Sequence, residues 1–169
     1  LNPWRVSMAK DYSLGTVQVA LSAVERFEEY LQSRGMRNTD QRRSLVQHVF
    51  SQHDHFDADS LIEQLPKRGE TGYVSRPTVY RTLNEFVDAG LLRKFELGGR
   101  AVFEHDYGYP EHDHLYCTKC QQLIEFQSDE LLELRSMVAR DHQFRVTGHR
   151  LIISGLCREC KRPKQRTKR

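Results

Sequence analysis

Four cysteines in two close pairs give this sequence its clearest chemical signal. Cys117 and Cys120 form one C-x2-C pair, and Cys157 and Cys160 form a second after 36 intervening residues. Two turns that each present two thiolates can place four sulfurs at the corners of a tetrahedron, the closed geometry of a structural Zn²⁺ site. Two disulfides or an iron–sulfur cluster are alternatives for the same residues. Nothing in the sequence points to an oxidising compartment or to redox chemistry, so the spacing favours zinc.

A second group of side chains offers nitrogen and oxygen ligands instead of sulfur. His112 and His114 lie two residues apart in an H-D-H segment, so an extended backbone turns both rings to one side. Imidazole combined with carboxylate suits Fe²⁺, Mn²⁺ or Zn²⁺ in five- or six-fold coordination. The predicted regulatory metal site consists of His55, Glu104, His112, His114 and Glu125. Asp113 and His149 are weaker candidates for an additional metal site.

The first half of the chain has the pattern of a winged helix. Two short apolar runs joined across Gly98 and Gly99 predict a β-hairpin. Helices followed by such a hairpin are typical of a winged helix-turn-helix, whose last helix before the hairpin enters the major groove of DNA. Apolar spacing predicts helices over residues 16–33, behind caps at Thr39 and Asp57, and from Ser75 to Gly90.

The fourth predicted helix would present the face that reads DNA. Tyr80 and Arg81 near its start suit contact with base edges, thymine methyl groups and phosphates. Alternatively, Tyr80 is a packing residue and the arginines only solvate the surface. The predicted contacts with double-stranded DNA are Arg42, Arg76, Thr78, Tyr80 and Arg81.

The second half of the chain predicts a small α+β domain. A helix is expected from Ser128 to about Asp141, with strands around residues 115–117, 123–126, 144–147 and 149–156. Leu151-Ile152-Ile153 is apolar at consecutive positions, so both faces of that strand should be covered, one of them by a second subunit. The predicted organisation is a flexible extension over 1–15, a winged-helix domain over 16–105, a hinge over 106–111, a dimerisation and metal-binding domain over 112–160 and a basic tail over 161–169.

Composition limits the class of protein. The 169 residues are 38% hydrophobic and 29% charged, as in soluble globular proteins, and no apolar run approaches the roughly 18–20 residues of a membrane span. We therefore expect a cytoplasmic protein without a membrane partner or a small-molecule substrate. The formal net charge is +3, but six basic residues lie in the last nine, so DNA affinity must depend on local patches.

Three stretches of the sequence resemble the ferric uptake regulator (Fur) family of metal-dependent transcriptional repressors. They are Arg76–Leu92 (RPTVYRTLNEFVDAGLL), His112–Phe126 (HDHLYCTKCQQLIEF) and Gly148–Cys160 (GHRLIISGLCREC). The resemblance implies a winged helix, an α+β dimerisation domain and a homodimer that binds palindromic operators when a divalent ion is bound. It also implies that the four cysteines hold structural zinc, that the five His and Glu residues hold the regulatory ion, and that Tyr80 and Arg81 read DNA.

Two departures from the family pattern affect the metal assignments. The family's additional site usually includes a His just before H-D-H and a Glu in the last helix, where this sequence has Glu111 and Leu132. The zinc-sensing branch uses a thiolate in its sensory site, and the peroxide-sensing branch favours Asp where Glu104 and Glu125 stand. Iron sensing is therefore expected, with Mn²⁺ or Zn²⁺ as substitutes.

Several alternatives to iron sensing remain open at this point. Within the family, they are peroxide, manganese and zinc sensing. Outside it, a metallohydrolase could use H-x-H and carboxylates to activate water, although it would need an open coordination position in a preorganised pocket. A protein-interaction module held together by zinc is the last alternative. The resemblance favours a regulator that is not an enzyme.

Overall fold

The computed structural model describes residues 13–52 and 54–161, which form two compact units. The first unit is Thr16–Tyr109, and the second consists of the described residues from Pro110 onward together with residues 13–15. Most of the predicted extension and nearly all of the predicted basic tail lie outside the described residues. Within the described ranges, every helix is too short or too polar to cross a membrane.

The first unit has the element order of a winged helix. Thr39 and Asp57 are confirmed as helix caps, because their side chains accept hydrogen bonds from the backbone N–H groups of Arg42 and Ser60. Gly98 and Gly99 both adopt positive φ, 58° and 78°, as the tight turn of the predicted hairpin requires. The elements are α1 (Ala23–Ser33), α2 (Asp40–Phe50), α3 (Ala58–Gln64), α4 (Arg76–Asp88), β1 (Leu92–Leu97) and β2 (Arg100–His105).

The prediction that the first helix begins at residue 16 is wrong. Ser22 and Glu25 form a capping box, in which each side chain accepts a hydrogen bond from the other residue's backbone N–H. This arrangement satisfies the first free N–H groups and starts α1 at Ala23. Val17 and Val19, which precede it, are exposed.

Aromatic packing in the first unit fixes α4 against the other helices. Phe86 of α4 meets the rings of Phe27 and Phe50 edge-on, with centroids 4.7 and 5.5 Å apart. Phe56 and Phe103 exchange two backbone hydrogen bonds of 3.2 and 2.8 Å, which tie the loop before α3 to strand β2. This bridge places the loop's His55 beside the end of β2.

The second unit is a three-stranded sheet with one long helix. Strand β3 is central, antiparallel to β4 and parallel to β5. The predicted strand at residues 144–147 is wrong, because β5 pairs with β3 at that edge and residues 144–147 lie in no regular element. The elements are β3 (Asp113–Cys117), β4 (Leu123–Phe126), α5 (Asp129–Asp141), β5 (Ile152–Gly155) and α6 (Arg158–Lys161).

Candidate metal centres and DNA-binding surface

The four cysteine sulfurs converge within the second unit. Each Sγ lies within 4.8 Å of the other three, and the Sγ atoms of Cys120 and Cys157 are 3.7 Å apart. Sulfurs bound tetrahedrally at about 2.3 Å from one Zn²⁺ are separated by about 3.8 Å, so the cluster fits a zinc site with four thiolate ligands. All four residues are free thiols, which does not match the two-disulfide alternative.

The fold brings the two cysteine pairs together at one end of the sheet. Strand β3 ends at Cys117, whose carbonyl accepts a 2.8 Å hydrogen bond from the N–H of Gln121 and closes a tight turn. The N–H of Thr118 donates to the carbonyl of Gly155, the last residue of β5. The parallel pairing of β3 with β5 therefore carries the second cysteine pair to the first, and zinc would join the first strand of the unit to its last helix.

Local hydrogen bonds prepare this cluster for a cation. Backbone N–H groups of Cys120 and Cys157 point at the sulfur of Cys117 and lower the pKa of that thiol to about 6. Burial and the neighbouring sulfurs raise the pKa of Cys160 to about 12. One thiolate therefore forms readily at neutral pH, while the complete set needs a cation to offset its mutual repulsion.

The first unit holds two of the predicted regulatory ligands side by side. His55 Nε2 lies 3.3 Å from Glu104 Oε2, and their side chains are 15% and 4% exposed. Glu104 follows Phe103 in β2, so the backbone bridge between Phe56 and Phe103 sets this contact. Burying a carboxylate is costly unless a cation or hydrogen bonds offset its charge, so this pair is suited to contribute to a metal site.

The second unit assembles the other three predicted ligands. The register of β3 and β4 pairs His114 with Glu125, and Glu125 Oε1 lies 3.7 Å from His112 Nε2. The two imidazole rings are 4.8 Å apart between centroids, and His114 is 1% exposed. His112 Nδ1 lies 2.9 Å from the carbonyl oxygen of Pro110. Because a carbonyl only accepts, this contact directs the Nδ1–H tautomer and leaves Nε2 available as a ligand.

The two candidates for the additional metal site are adjacent, but a third residue is present with them. Asp113 Oδ1 lies 3.1 Å from His149 Nε2 and accepts a hydrogen bond from the N–H of Leu151. Arg135 of α5 contacts His149 Nδ1 at 2.8 Å and Glu111 at 2.9 Å. Arg135 was not predicted from the sequence. The sequence signal that could have indicated it is its position, since Arg135 lies one helical turn beyond Leu132, where the family pattern has a Glu.

The start of α4 presents the predicted DNA-reading residues. Tyr80, Arg76 and Arg81 are exposed. The hydroxyl of Tyr80 donates a 2.8 Å hydrogen bond to Asp59 of α3, and this bond raises the pKa of Tyr80. Arg76 contacts the same carboxylate oxygen at 2.5 Å and lies over the Tyr80 ring. Asp59 therefore holds these two side chains in place, a role that was not predicted from the sequence.

Two of the residues predicted to contact DNA are mostly buried and have partners within the first unit. Thr78 is buried, and its hydroxyl lies 2.7 Å from that of Ser75. Arg42 makes two hydrogen bonds of 2.9 and 2.6 Å to the carboxylate of Glu85, with both side chains about nine-tenths buried. The Arg42–Glu85 contact joins α2 to α4, and the contact of Thr78 and Arg42 with DNA stays a prediction.

We predict that Arg42→Ala reduces stability rather than specific DNA contact. The change leaves the Glu85 carboxylate buried without its main partner and should lower the free energy of unfolding by about 3 kcal/mol. Arg43→Ala is the matched control, because the neighbouring Arg43 pairs with exposed Asp40 and should contribute less than about 1 kcal/mol. Urea unfolding measures both variants. Equal losses would show that the Arg42–Glu85 pair has no special role.

Comparison with known proteins identifies the family. The profile described as "Ferric uptake regulator family" matches residues 33–154. The chain belongs to this family. Its members are metal-responsive transcription regulators that bind DNA and are not enzymes, so the metallohydrolase alternative does not apply to this chain.

Relatives of this Fur family member include regulators of two kinds. The chain is 38% identical over 132 residues to the ferric uptake regulation protein of Rhizobium leguminosarum, covering 76% of this chain and 89% of the relative. It is 29% identical over 145 residues to that of Campylobacter jejuni, covering 86% and 92%. The peroxide-responsive repressor PerR of Staphylococcus epidermidis is 30% identical over 131 residues, covering 78% and 85%.

Solved structures of Fur proteins share the fold. The Helicobacter pylori ferric uptake regulator superposes with a TM-score of 0.75 at 22% identity, covering 89% of this chain and 99% of that one. The Vibrio cholerae regulator gives 0.64 at 32% identity, covering 77% and 98%. The Francisella tularensis regulator, determined with iron, gives 0.65 at 26% identity, covering 76% and 96%. The predicted α+β fold is confirmed.

Proposed function

We propose that this Fur family member is an iron-responsive repressor that binds palindromic operators as a homodimer. Its regulatory ion would be held by five side chains from both units, which are His55, Glu104, His112, His114 and Glu125. The observation that carries this proposal is that each unit already gathers its share of the ligands, around buried Glu104 in one and buried His114 in the other. Its proposed place of action is the cytoplasm, where the operator is accessible.

The chemistry of the ligands supports Fe²⁺ as the physiological ion. Imidazole nitrogen and carboxylate oxygen suit Fe²⁺ and Mn²⁺, and the four cysteines are all engaged in the other cluster. Glu at positions 104 and 125 departs from the pattern expected of a peroxide sensor. Similarity to the Rhizobium iron regulator, at 38%, also exceeds the 30% identity to the peroxide-responsive repressor. Mn²⁺ and Zn²⁺ are proposed as substitutes.

The proposed mechanism couples ion binding to the placement of the DNA-binding unit. Residues 106–111 would serve as the hinge, and the carboxylates of Glu104 and Glu125 could share one site once a divalent cation offsets their charges. His55 and Glu104 would supply the ligands from the winged unit, and His112, His114 and Glu125 would supply those from the second unit. Fixing the hinge in a two-fold dimer sets the spacing of the recognition helices to about one turn of DNA, roughly 34 Å.

The apolar surface of the second unit supports the homodimer. Helix α5 buries none of its residues within the described chain. Leu134 and Val138 of this helix are half-exposed, and Ile153 of β5 is also exposed despite its apolar neighbours. Large apolar side chains left exposed over a helix and a strand favour a protein interface. A second copy of the chain would cover the exposed side chains of α5 and of β5, and the sequence pattern predicts such a cover for one face of β5.

The DNA surface consists of Tyr80, Arg76 and Arg81 in this proposal. We expect Tyr80→Ala to reduce the preference for operator over random DNA, by about 1–3 kcal/mol, because the ring supplies a sequence-dependent contact. Binding to both DNAs, measured by fluorescence anisotropy at two salt concentrations, gives this preference. Tyr80→Phe is the control, since it keeps the ring and loses only the hydroxyl with its hydrogen bonds to Asp59 and Arg76. Equal weakening on both DNAs would assign Tyr80 to backbone contact.

An anaerobic titration tests the choice of ion. Protein with its cysteine-bound zinc retained is mixed with labelled promoter DNA, and Fe²⁺, Mn²⁺ or Zn²⁺ is added. The iron proposal predicts that Fe²⁺ switches operator binding on within the range of free Fe²⁺ found in cells, that Mn²⁺ can substitute for it, and that chelation reverses the binding. Loss of binding after peroxide treatment of the iron-loaded protein would favour a peroxide sensor instead. Response to Zn²⁺ alone would favour a zinc sensor.

A further inference from the structure

The polar cluster around Arg135 occupies the place where a further metal ion is expected in the family. Glu111 and Asp113 lie at the start of β3, His149 precedes β5, and Arg135 lies in the middle of α5. Arg135 Nη1 is 2.9 Å from Glu111 Oε2 and 2.8 Å from His149 Nδ1. His149 Nε2 in turn lies 3.1 Å from Asp113 Oδ1. All four residues belong to the second unit.

The direction of these contacts determines the state of His149. A guanidinium only donates, so His149 Nδ1 must accept and the ring proton must lie on Nε2, facing Asp113. A metal bound between Asp113 and His149 would need the lone pair of Nε2. The proton would then move to Nδ1 and face the Arg135 donor at 2.8 Å. Neither ring nitrogen can therefore serve a metal while Arg135 stays in place.

The charges of the cluster lead to the same conclusion. Asp113 is 2% exposed, and the exposed fraction of the Arg135 side chain is 26%. The guanidinium already offsets the negative charges of Glu111 and Asp113, and a divalent cation added beside it would meet strong repulsion in a poorly solvated place. Glu133, the other acidic residue in the middle of α5, is exposed and lines a separate groove with Met137 and Arg140.

We propose that Arg135 is the resident cation of this cluster and replaces the divalent ion of the family's additional site. The guanidinium orients His149, His149 contacts Asp113, and Asp113 accepts the N–H of Leu151 at 3.1 Å. Because the carbonyl of Leu151 accepts from the N–H of His114, the cluster positions β5 beside a proposed regulatory ligand. Because the cluster needs no metal, the position of β5 would not depend on the supply of ions. The role of Arg135 is also the same whichever ion binds the regulatory site.

Removing the guanidinium tests this role by creating a metal site. We expect Arg135→Ala to bind about one more divalent ion per chain than wild type, since Glu111, Asp113 and His149 are released as ligands. Arg140→Ala is the matched control, an exposed arginine on the same helix, and should leave the metal content unchanged. Equilibrium dialysis against Mn²⁺ or Zn²⁺, followed by elemental analysis, gives the number of ions. The double variant Arg135→Ala/His149→Ala should lose the extra ion.

The comparison of the two arginine variants does not depend on the regulatory site, which both retain. If the iron proposal fails, the identity of the regulatory ion changes in Arg135→Ala and Arg140→Ala alike. If the Arg135 proposal fails, the two variants bind the same number of ions. The proposal is overturned if Arg135→Ala gains no ion, or if His149→Ala removes one from the wild-type chain. Imidazole ¹⁵N shifts of the intact protein provide a test without a destabilising change. They should show His149 protonated on Nε2 with and without added Zn²⁺, which is diamagnetic, and loss of the Nε2 proton on adding Zn²⁺ would contradict the proposal.

Discussion

Cys117→Ser is expected to remove the zinc and unfold the second unit. Structural zinc contributes about 10–16 kcal/mol of apparent binding free energy in small zinc domains, which matches or exceeds the total stability of a typical domain, about 5–15 kcal/mol. The described part of this unit is short, and α5 buries none of its residues in the single chain. It therefore has little core with which to compensate for the lost ion.

Zinc content, near-ultraviolet circular dichroism and sedimentation measure this effect. We expect less than one zinc per chain, loss of the tertiary signal of the second unit and a monomer in place of the proposed dimer. Lys119→Ser is the control, because Lys119 lies exposed in the same turn and is not a proposed ligand. Unchanged zinc content and stability in Cys117→Ser would contradict the assignment of the four cysteines to a structural site.

His112→Ala should abolish the stimulation of operator binding by metal and leave the protein folded. The variant removes a proposed ligand whose Nε2 lies 3.7 Å from Glu125, and we expect the cysteine cluster and the sheet to stay intact. Couplings between two binding sites are typically about 1–3 kcal/mol, which is a roughly 5- to 150-fold change in affinity. We expect the ion to raise operator affinity by such a factor in the wild type and to leave it unchanged in His112→Ala.

Operator affinity with and without Fe²⁺, measured under argon, gives this effect, and thermal unfolding checks the fold. His142→Ala provides the control, because His142 is an exposed histidine at the end of α5 outside the proposed ligand set. If His112→Ala responded to Fe²⁺ as strongly as the wild type, His112 would not be a regulatory ligand.

Local patterns made the zinc site and the winged helix predictable from sequence. Each C-x2-C pair lies within one turn, so its spacing alone predicts that the two sulfurs of one pair lie side by side. Thr39 and Asp57 act as caps through bonds to residues three positions along, and the two glycines at the hairpin tip adopt the positive φ that their type predicts. In all these cases the deciding interactions lie within a few residues of one another.

Contacts between distant residues explain what the sequence could not predict. A helical pattern cannot show that Arg42 pairs with Glu85, 43 positions away, or that Asp59 of another helix holds Tyr80. The same limit hid Arg135, whose partners come from segments before β3 and before β5. The early start predicted for α1 had a local cause, since the apolar spacing extends to residues before the capping box of Ser22 and Glu25, at which the helix begins.

The paired measurement of ion affinity with and without operator tests the proposed coupling most directly. Zinc-loaded dimer is titrated with Mn²⁺, as an air-stable substitute for Fe²⁺, in an isothermal calorimeter, first alone and then with saturating operator. Because binding free energies are reciprocally linked, we predict that operator tightens Mn²⁺ binding by the same factor by which Mn²⁺ tightens operator binding. Equal Mn²⁺ affinity in both titrations would contradict this coupling.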